Sequence, residues 1–380
     1  MKTSRKLRVL VAMSGGVDSS VAALLMKKQG YEVIGVFMKN WSDTKNPLTG
    51  ECNWKAERRM AANIASILGI KLITLDSEKE YKSLVVNEMI NLYKKGITPN
   101  PDVDCNNKIK FPLLWKAAKN PKIKADFIVT GHYAQIKKVK SSEKEASYQL
   151  LRAEDESKDQ SYFLYRLNQD DLKHTLFPIG KYKKLEVREI AKKHKFPNYD
   201  KKGTVGICFI GKINLKQFLK NKIKPKKGNI IDPEEKIIGQ HDGIYYYTIN
   251  QRLGPRYGIT LSKSSDNPKN IKKWYVAKKD LKSNTITAAP EGHKILLRKE
   301  IMIIKPHFIN KNEKIKNGKR QNVNVRIRHV GELLPATILK HNNKFKVTLK
   351  KAITGISEGQ AIVIYRKNSK QVLGGGVISF

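Results

Sequence analysis

The sequence predicts an α/β chain: a doubly wound parallel sheet, then a small β-rich domain and a C-terminal β-barrel. Three observations lead there. In residues 1–211, short apolar runs alternate with segments of helical spacing, the pattern of strand–helix–strand units. From about Gly228 that spacing disappears, and short β segments such as IYYYTI, WYVAKKD and NTITAA are split by Gly, Pro and Asn turns. Near the C-terminus, Asn322–Arg328 (NVNVRIR) alternates apolar and polar residues; Phe345, Val347 and Leu349 repeat the pattern, as do Ile362 and Ile364. The expected organisation is an α/β domain over 1–211, a β-rich domain over 212–292 led by a helix at Leu215–Asn221, and a barrel over 293–380. The barrel would turn Val323, Val325 and Ile327 inward and present Asn324, Arg326 and Arg328 as a basic outer stripe. A solvated strand face is the plainer reading of that stripe.

Taken in order, Arg8–Ala12 reads as a buried parallel strand and Asp18–Lys28 as a helix packed on the sheet. Tyr31–Met38, Lys71–Leu75 and Asp126–Thr130 are further strands, with helices at Ala56–Leu68, Tyr81–Lys95, Ile109–Lys119 and Leu185–His194. Such a sheet binds ligands beyond the carboxyl ends of its strands, which selects Ala12–Ser19, Met38-Lys39-Asn40 and Gly131-His132 as the rim of one crevice. In residues 98–111 (TPNPDVDCNNKIKF), two prolines are expected to block helix before Cys105. The thiol would then sit just ahead of a helix start, beside Lys108 and Lys110, in polar surroundings that argue against burial. Asp102 is near enough to accept a proton or to cap the turn. Lys137–Lys144 reads as a charged surface connection, and Ser157–Leu167 as a polar start running into an amphipathic helix. Lys201–Gly211 (KKGTVGICFIG) is a glycine-rich loop carrying Cys208.

Composition narrows the function classes. Against 34 acidic residues stand 75 Lys and Arg, a net charge of +41 that favours a polyanionic partner, with nucleic acid the commonest. The same excess can be compositional, since Lys, Asn and Ile are abundant throughout. The apolar run at the N-terminus is cut short by Ser14-Gly15-Gly16, so no signal peptide is expected, and no uncharged apolar span reaches the ~18 residues of a membrane helix. Three cysteines, Cys52, Cys105 and Cys208, make no disulfide framework, and none lies in zinc-ligand spacing. A cytoplasmic protein with no resident metal is expected.

The chemistry begins at the turn between the first strand and helix. Glycines admit close backbone approach, the unpaired N–H groups of a helix start point outward, and the dipole adds positive potential, so the expected guest is a phosphate or pyrophosphate. Ser14, Ser19 and Ser20 offer hydroxyls there, while Asp18 can reach Mg2+ or cap the helix. A plain strand–helix turn is the alternative. No G-x-x-x-x-G-K-[ST] occurs, which rules out a Walker A loop. SGGVDSS resembles instead the PP-loop ATPase signature, whose members cleave ATP between the α and β phosphates to adenylate a substrate oxygen. Added to two loop cysteines remote in sequence, it suggests adenylation followed by sulfur transfer. AMP turns a carbonyl oxygen into a leaving group, a persulfide delivers sulfur, and a second thiol closes the step as a disulfide.

Across nearly its whole length the chain resembles the tRNA-specific 2-thiouridylase family, on AMSGGVDSS, GVFMKNW, TPNPDVDCNNKIKF, TGHYA, KDQSYFLYRL, GICFIG and LGGGVI. The resemblance implies a three-domain enzyme of the PP-loop (HUP-like) class that makes 2-thiouridine at the wobble position of tRNAs for Lys, Glu and Gln. It implies that Ala12, Met13, Ser14, Gly15, Gly16, Val17, Asp18, Ser19, Met38 and Gly131 hold ATP with its Mg2+. By the same token Asn100, Pro101 and Asp102 would meet the target base, Cys105 would be the nucleophile and Cys208 the persulfide carrier, with Asp102 beside them. His132, Lys158, Asp159, Gln160, Arg328, His329 and Gln360 would touch tRNA, and sulfur would come from a cysteine desulfurase or a sulfur-relay protein. Two stretches depart from the family: Lys202-Gly203-Thr204-Val205 where Lys-Asp-Ser-Thr is usual, and Arg328-His329-Val330-Gly331 where Arg-Tyr-Arg-Gln is usual. They leave two rivals open, a PP-loop ligase that adenylates a small molecule and a tRNA-binding protein whose active site has decayed.

Overall fold

The computed structural model describes residues 5–42, 52–140, 146–201, 203, 215–254, 273–310, 315–329, 331–341 and 344–380. The first part of the chain runs β1 (Arg8–Ala12), α1 (Val17–Lys28), β2 (Glu32–Lys39), α2 (Asn53–Leu68), β3 (Lys71–Asp76) and α3 (Glu78–Tyr81). A π stretch (Lys82–Asn87) leads into α4 (Glu88–Lys94), and α5 (Pro101–Asp104) passes through a second π stretch (Cys105–Lys110) into α6 (Phe111–Ala118). There follow β4 (Phe127–Val129), β5 (Ala134–Val139), β6 (Ser147–Arg152), α7 (Gln169–Lys173), β7 (Thr175–Leu176) and α8 (Lys184–Lys193). The sheet is parallel in the order β3-β2-β1-β4-β7. Val9, Leu10 and Val11 of β1 are all fully buried because both faces are covered. Leu10 joins the cluster of Ile109 and Leu114, whereas Val9 and Val11 join Val21 and Ala22 of α1.

The second part comprises α9 (Leu215–Lys220), β8 (Gly228–Ile231), β9 (Ile237–His241), β10 (Arg252–Leu253), β11 (Trp274–Asp280) and β12 (Thr285–Pro290), in a sheet of order β10-β11-β12-β8-β9. Its core of Ile230, Tyr247, Val276 and Ile286 also takes in Met89 and Tyr93 of α4. The third part is β13 (Arg298–Phe308), β14 (Arg320–Arg326), β15 (Leu334–His341), β16 (Lys344–Ile353), β17 (Ala361–Arg366) and β18 (Gln371–Ser379). These pair in the order β13-β16-β15-β14-β17-β18 and close through β13–β18, a barrel with no open edge among those six strands. The alternation expected from sequence holds: Val323, Val325, Ile327, Phe345, Val347, Leu349, Ile362 and Ile364 all lie in the barrel core.

Four local expectations are corrected. The chain is helical from Pro101, so Cys105 lies inside a helix rather than ahead of one, and it is fully buried rather than exposed. Proline is well suited to a first helical turn, where its missing N–H has no partner to lose, and Asn100 caps the start by accepting from Val103 N at 3.4 Å. Ser157–Leu167 contains only a 3-10 turn, Ser161–Leu164, where Asp159 accepts from Ser161 N and Oγ, a local bond that competes with helix. The expected connection Lys137–Lys144 begins inside a strand: Lys137, Lys138 and Val139 end β5, which pairs antiparallel with β6, and β6 pairs in turn with β18, so this hairpin extends the barrel sheet; residues 141–144 lie outside the described residues. Arg326, expected on the outer stripe, is 5 % exposed and forms an ion pair with Asp159.

Candidate active site

The turn Ser14-Gly15-Gly16 ends β1 and starts α1, and it is built to leave donors unspent. Gly16 stands at the helix N-cap without a side-chain cap, so the first N–H groups of α1 have no intrahelical partner. The serine hydroxyls brace the turn: Ser19 Oγ donates to Gly16 O at 3.0 Å and lies 3.3 Å from Ser14 Oγ, and Ser20 Oγ donates to Gly16 O at 2.9 Å. Gly15 has φ +74°, and a Cβ there would come within 2.4 Å of Glu57 O. Gly131, beyond β4, packs so closely on α1 that a Cβ would lie 2.7 Å from Ser19 N. The two glycines therefore let three chain segments converge on one helix start. That gathers unpaired backbone donors at one helix start, the chemistry an anion uses.

Asp18, in the first turn of α1, accepts from Tyr133 Oη at 2.8 Å and from Lys184 Nζ at 2.6 Å. Both contacts fall on Oδ1, and among the described residues Oδ2 accepts no hydrogen bond. Burial, then the Asp18 charge, raises the Tyr133 hydroxyl, so it stays protonated and serves as donor. Residues missed in the sequence complete the turn. Asn198, 1 % exposed, donates to Gly15 O at 3.1 Å and to Ser20 Oγ at 3.0 Å, and Lys201 Nζ reaches Gly15 O at 3.4 Å. No spacing rule links residue 198 to residue 15, so only the fold reveals them. Asn198→Asp should be more damaging than Asn198→Ala, because a carboxylate would face the Gly15 carbonyl without a proton to donate. We expect the KM for ATP to rise about tenfold, the effect of losing one to two buried hydrogen bonds. An unchanged KM in steady-state kinetics would reduce Asn198 to a packing residue.

Met38 is 5 % exposed and packed in the core below the rim, with Leu10 and Val36 in the same cluster. His132 follows Gly131 and is buried, stacked 5.9 Å from the Phe111 ring. Burial and the neighbouring Lys110 hold its pKa well below the usual histidine value, so the ring is neutral. Lys110 Nζ lies 3.4 Å from Nε2 and can only donate, which assigns the ring proton to Nδ1, facing Thr130 Oγ1 at 2.7 Å. This contact ties the crevice rim to the π stretch that Cys105 opens. Such π turns inside helices recur at functional sites. Cys208 lies outside the described residues, as does most of its loop.

The seven residues expected at tRNA divide by burial. Lys158 and Arg328 are exposed, and the Arg328 guanidinium is held by Thr354 O at 2.9 Å. His329 is half-buried against Phe163, ring centroids 4.3 Å apart, and burial lowers its pKa. Gln160 Oε1 accepts from Tyr133 N at 2.9 Å. Gln360 Nε2 donates to Thr98 O and Pro99 O. His132 and Asp159 are inside the protein, 8 % and 1 % exposed.

Comparison with known proteins places this arrangement. The family description "tRNA methyl transferase HUP domain" matches residues 7–212, "tRNA methyl transferase PRC-barrel domain" residues 216–290, and "Aminomethyltransferase beta-barrel domain" residues 298–378. A protein named tRNA-specific 2-thiouridylase MnmA from Nitrosomonas europaea is 42 % identical, over 98 % of each chain. One of the same name from Flavobacterium johnsoniae is 38 % identical over 98 % of this chain and all of its own. The chain belongs to the tRNA-specific 2-thiouridylase family. Another family member with that name, from Enterococcus faecalis, is 39 % identical over 100 % of this chain and 96 % of its own. The family's three matched segments correspond to the parallel-sheet part, the five-stranded middle part and the closed barrel. A solved 4-thiouridine synthetase–RNA complex with bound ATP aligns with TM-score 0.33 at 17 % identity, over 57 % of this chain and 50 % of that one, too slight a likeness to bear on function.

Proposed function

We propose that the protein thiolates a tRNA uridine at C2, at the wobble position, in an ATP-dependent reaction. ATP would lie with its phosphates on the start of α1, against Ser14–Ser19 and Gly131, and Asp18 would meet the accompanying Mg2+ through Oδ2. The uracil C2 oxygen takes AMP and becomes a leaving group while pyrophosphate departs. The terminal sulfur of a persulfide on Cys208 attacks C2, AMP leaves, and the thiolate of Cys105 displaces the product sulfur to form a Cys105–Cys208 disulfide. A reductant must open that disulfide before the next turnover. Asn100, Pro101 and Asp102 would receive the base, and sulfur would come from a cysteine desulfurase or relay protein. Among the described residues no helix is long and apolar enough to cross a membrane, and we place the activity in the cytoplasm with its tRNA.

The observation that supports this reading best is the Lys110–His132 contact at 3.4 Å, since it puts the helix of Cys105 against the same rim that Gly131 shares with α1. A small-molecule ligase would have no use for a cysteine helix on that rim. The test is direct: protein, tRNA, ATP and a persulfide source are incubated, and the tRNA is run in a mercury-containing gel. Retardation that requires ATP is expected. No retardation with an active donor would leave the ligase or the decayed binder. The same tRNA should bind with an affinity that falls about 10³-fold or more between 50 and 200 mM salt if the positive charge meets six or more phosphates; a flat response would make the charge compositional.

A further inference from the structure

The segment entering α5 is held by parts of the chain far from it in sequence. Gln360, in the barrel loop before β17, donates from Nε2 to Thr98 O at 3.0 Å and to Pro99 O at 2.7 Å. Thr98 N donates back to Glu358 O at 3.2 Å. Between them Gly359 has φ +88°, and a Cβ on it would lie 2.2 Å from Ile97 Cγ2 and 2.7 Å from Thr98 O. Asn100, the cap of α5, donates to Tyr162 Oη at 3.4 Å, and Tyr162 Oη donates to Ala361 O at 2.9 Å. The middle part of the chain adds a third hold: Thr98 Oγ1 lies 3.3 Å from Thr248 Oγ1, and Leu281 packs on Gly96. Thr98 and Pro99 are buried. Two consecutive backbone positions, Thr98 and Pro99, are therefore gripped by the barrel just before Asp102 and Cys105, and the Asn100 side chain is tied to it through Tyr162.

The geometry points to Gln360, with Gly359 beside it, as a positioning residue for the Asp102–Cys105 helix, acting through the Thr98 and Pro99 carbonyls. Both hydrogen bonds of its amide nitrogen are committed inside the protein, so its effect on reaction is exerted on the pose of the thiol. A barrel that also carries the exposed Arg328 would thereby set where the proposed nucleophile stands. This rests on the proposed thiolation only for its kinetic arm, and the other arm needs no tRNA.

Gln360→Met keeps length and removes the donor. In a Cys52→Ser, Cys208→Ser background Cys105 is the sole cysteine, and its alkylation by iodoacetamide reads how often the helix opens. Loss of two hydrogen bonds should speed alkylation about tenfold. In the enzyme with native cysteines, the thiolation kcat should fall about 10- to 100-fold, as misplacement of a reacting group does, while tRNA Kd stays within about twofold. Gly359→Ala keeps the Gln360 side chain but drives a Cβ into Ile97 and Thr98 O at a left-handed position, and it should move both readouts the same way; it carries the test if Gln360→Met does not fold. Unchanged alkylation overturns the proposal, and so does a raised tRNA Kd with kcat intact, which would make Gln360 a direct tRNA contact. A parent enzyme that fails to thiolate overturns the functional reading alone, and alkylation still decides the clamp.

Discussion

Asp159→Asn should destabilise the protein by about 3–5 kcal/mol, because it strands a buried arginine. Arg326 Nη1 meets Asp159 Oδ2 at 2.7 Å, with the two side chains 6 % and 0 % exposed. Asp159 also accepts from Ala153 N, Ser161 N and Ser161 Oγ. The guanidinium lies 5.5 Å from the Tyr365 ring centre, which offers some further attraction. Asparagine keeps an acceptor for the backbone donors, so the loss isolates the charge. Adding Arg326→Met should recover most of the stability, since removing both members of a buried pair is far milder than removing one. Urea unfolding followed by fluorescence reads this. If the double variant is as weak as Asp159→Asn alone, the loss came from the local hydrogen bonds and the ion pair contributes little.

Cys105→Ser should lower thiolation by at least about 10³-fold, the scale on which removing a nucleophile acts. Serine is slightly smaller and its alkoxide is inaccessible near neutral pH, so it cannot displace sulfur from a mixed disulfide. The position is fully buried in a helix, and a near-isosteric hydroxyl should leave the fold, ATP binding and tRNA binding nearly intact. Filter binding and the mercury gel separate the two effects. A large loss of tRNA affinity together with a lowered melting temperature would mark Cys105 as a structural thiol. Its burial also means that reaction requires the helix start to open or tRNA to insert its base beside it, which is why the hold on residues 98–100 matters.

Much of the fold was legible because it depends on local spacing. The apolar runs at β1, β2 and β3, the alternation in β14 and β16, and the glycine turn at Ser14–Gly16 each encode their structure within a dozen residues or fewer. Errors fell where a distant partner overrode local preference. Arg326 reads as an outward residue of an alternating strand, yet it is turned inward by Asp159, which no neighbour in sequence announces. The polar run around Cys105 suggested exposure, but α3, the π stretch at Lys82–Asn87 and the 3-10 turn at Ser161–Leu164 pack on its helix. Ser157–Leu167 has helical spacing, but Asp159 turns inward to Arg326 and takes Ser161 N as well.

By itself, then, the order of residues determined most of the strands and helices, the glycine turn at Ser14–Gly16 and the family. Tertiary structure alone decided which charges are inside, which rim residues meet, and that Gln360 faces the Thr98–Pro99 backbone. The reason is range: hydrogen-bonded turns and amphipathic spacing act between near neighbours, whereas burial is set by whichever segments the completed chain brings to the same place.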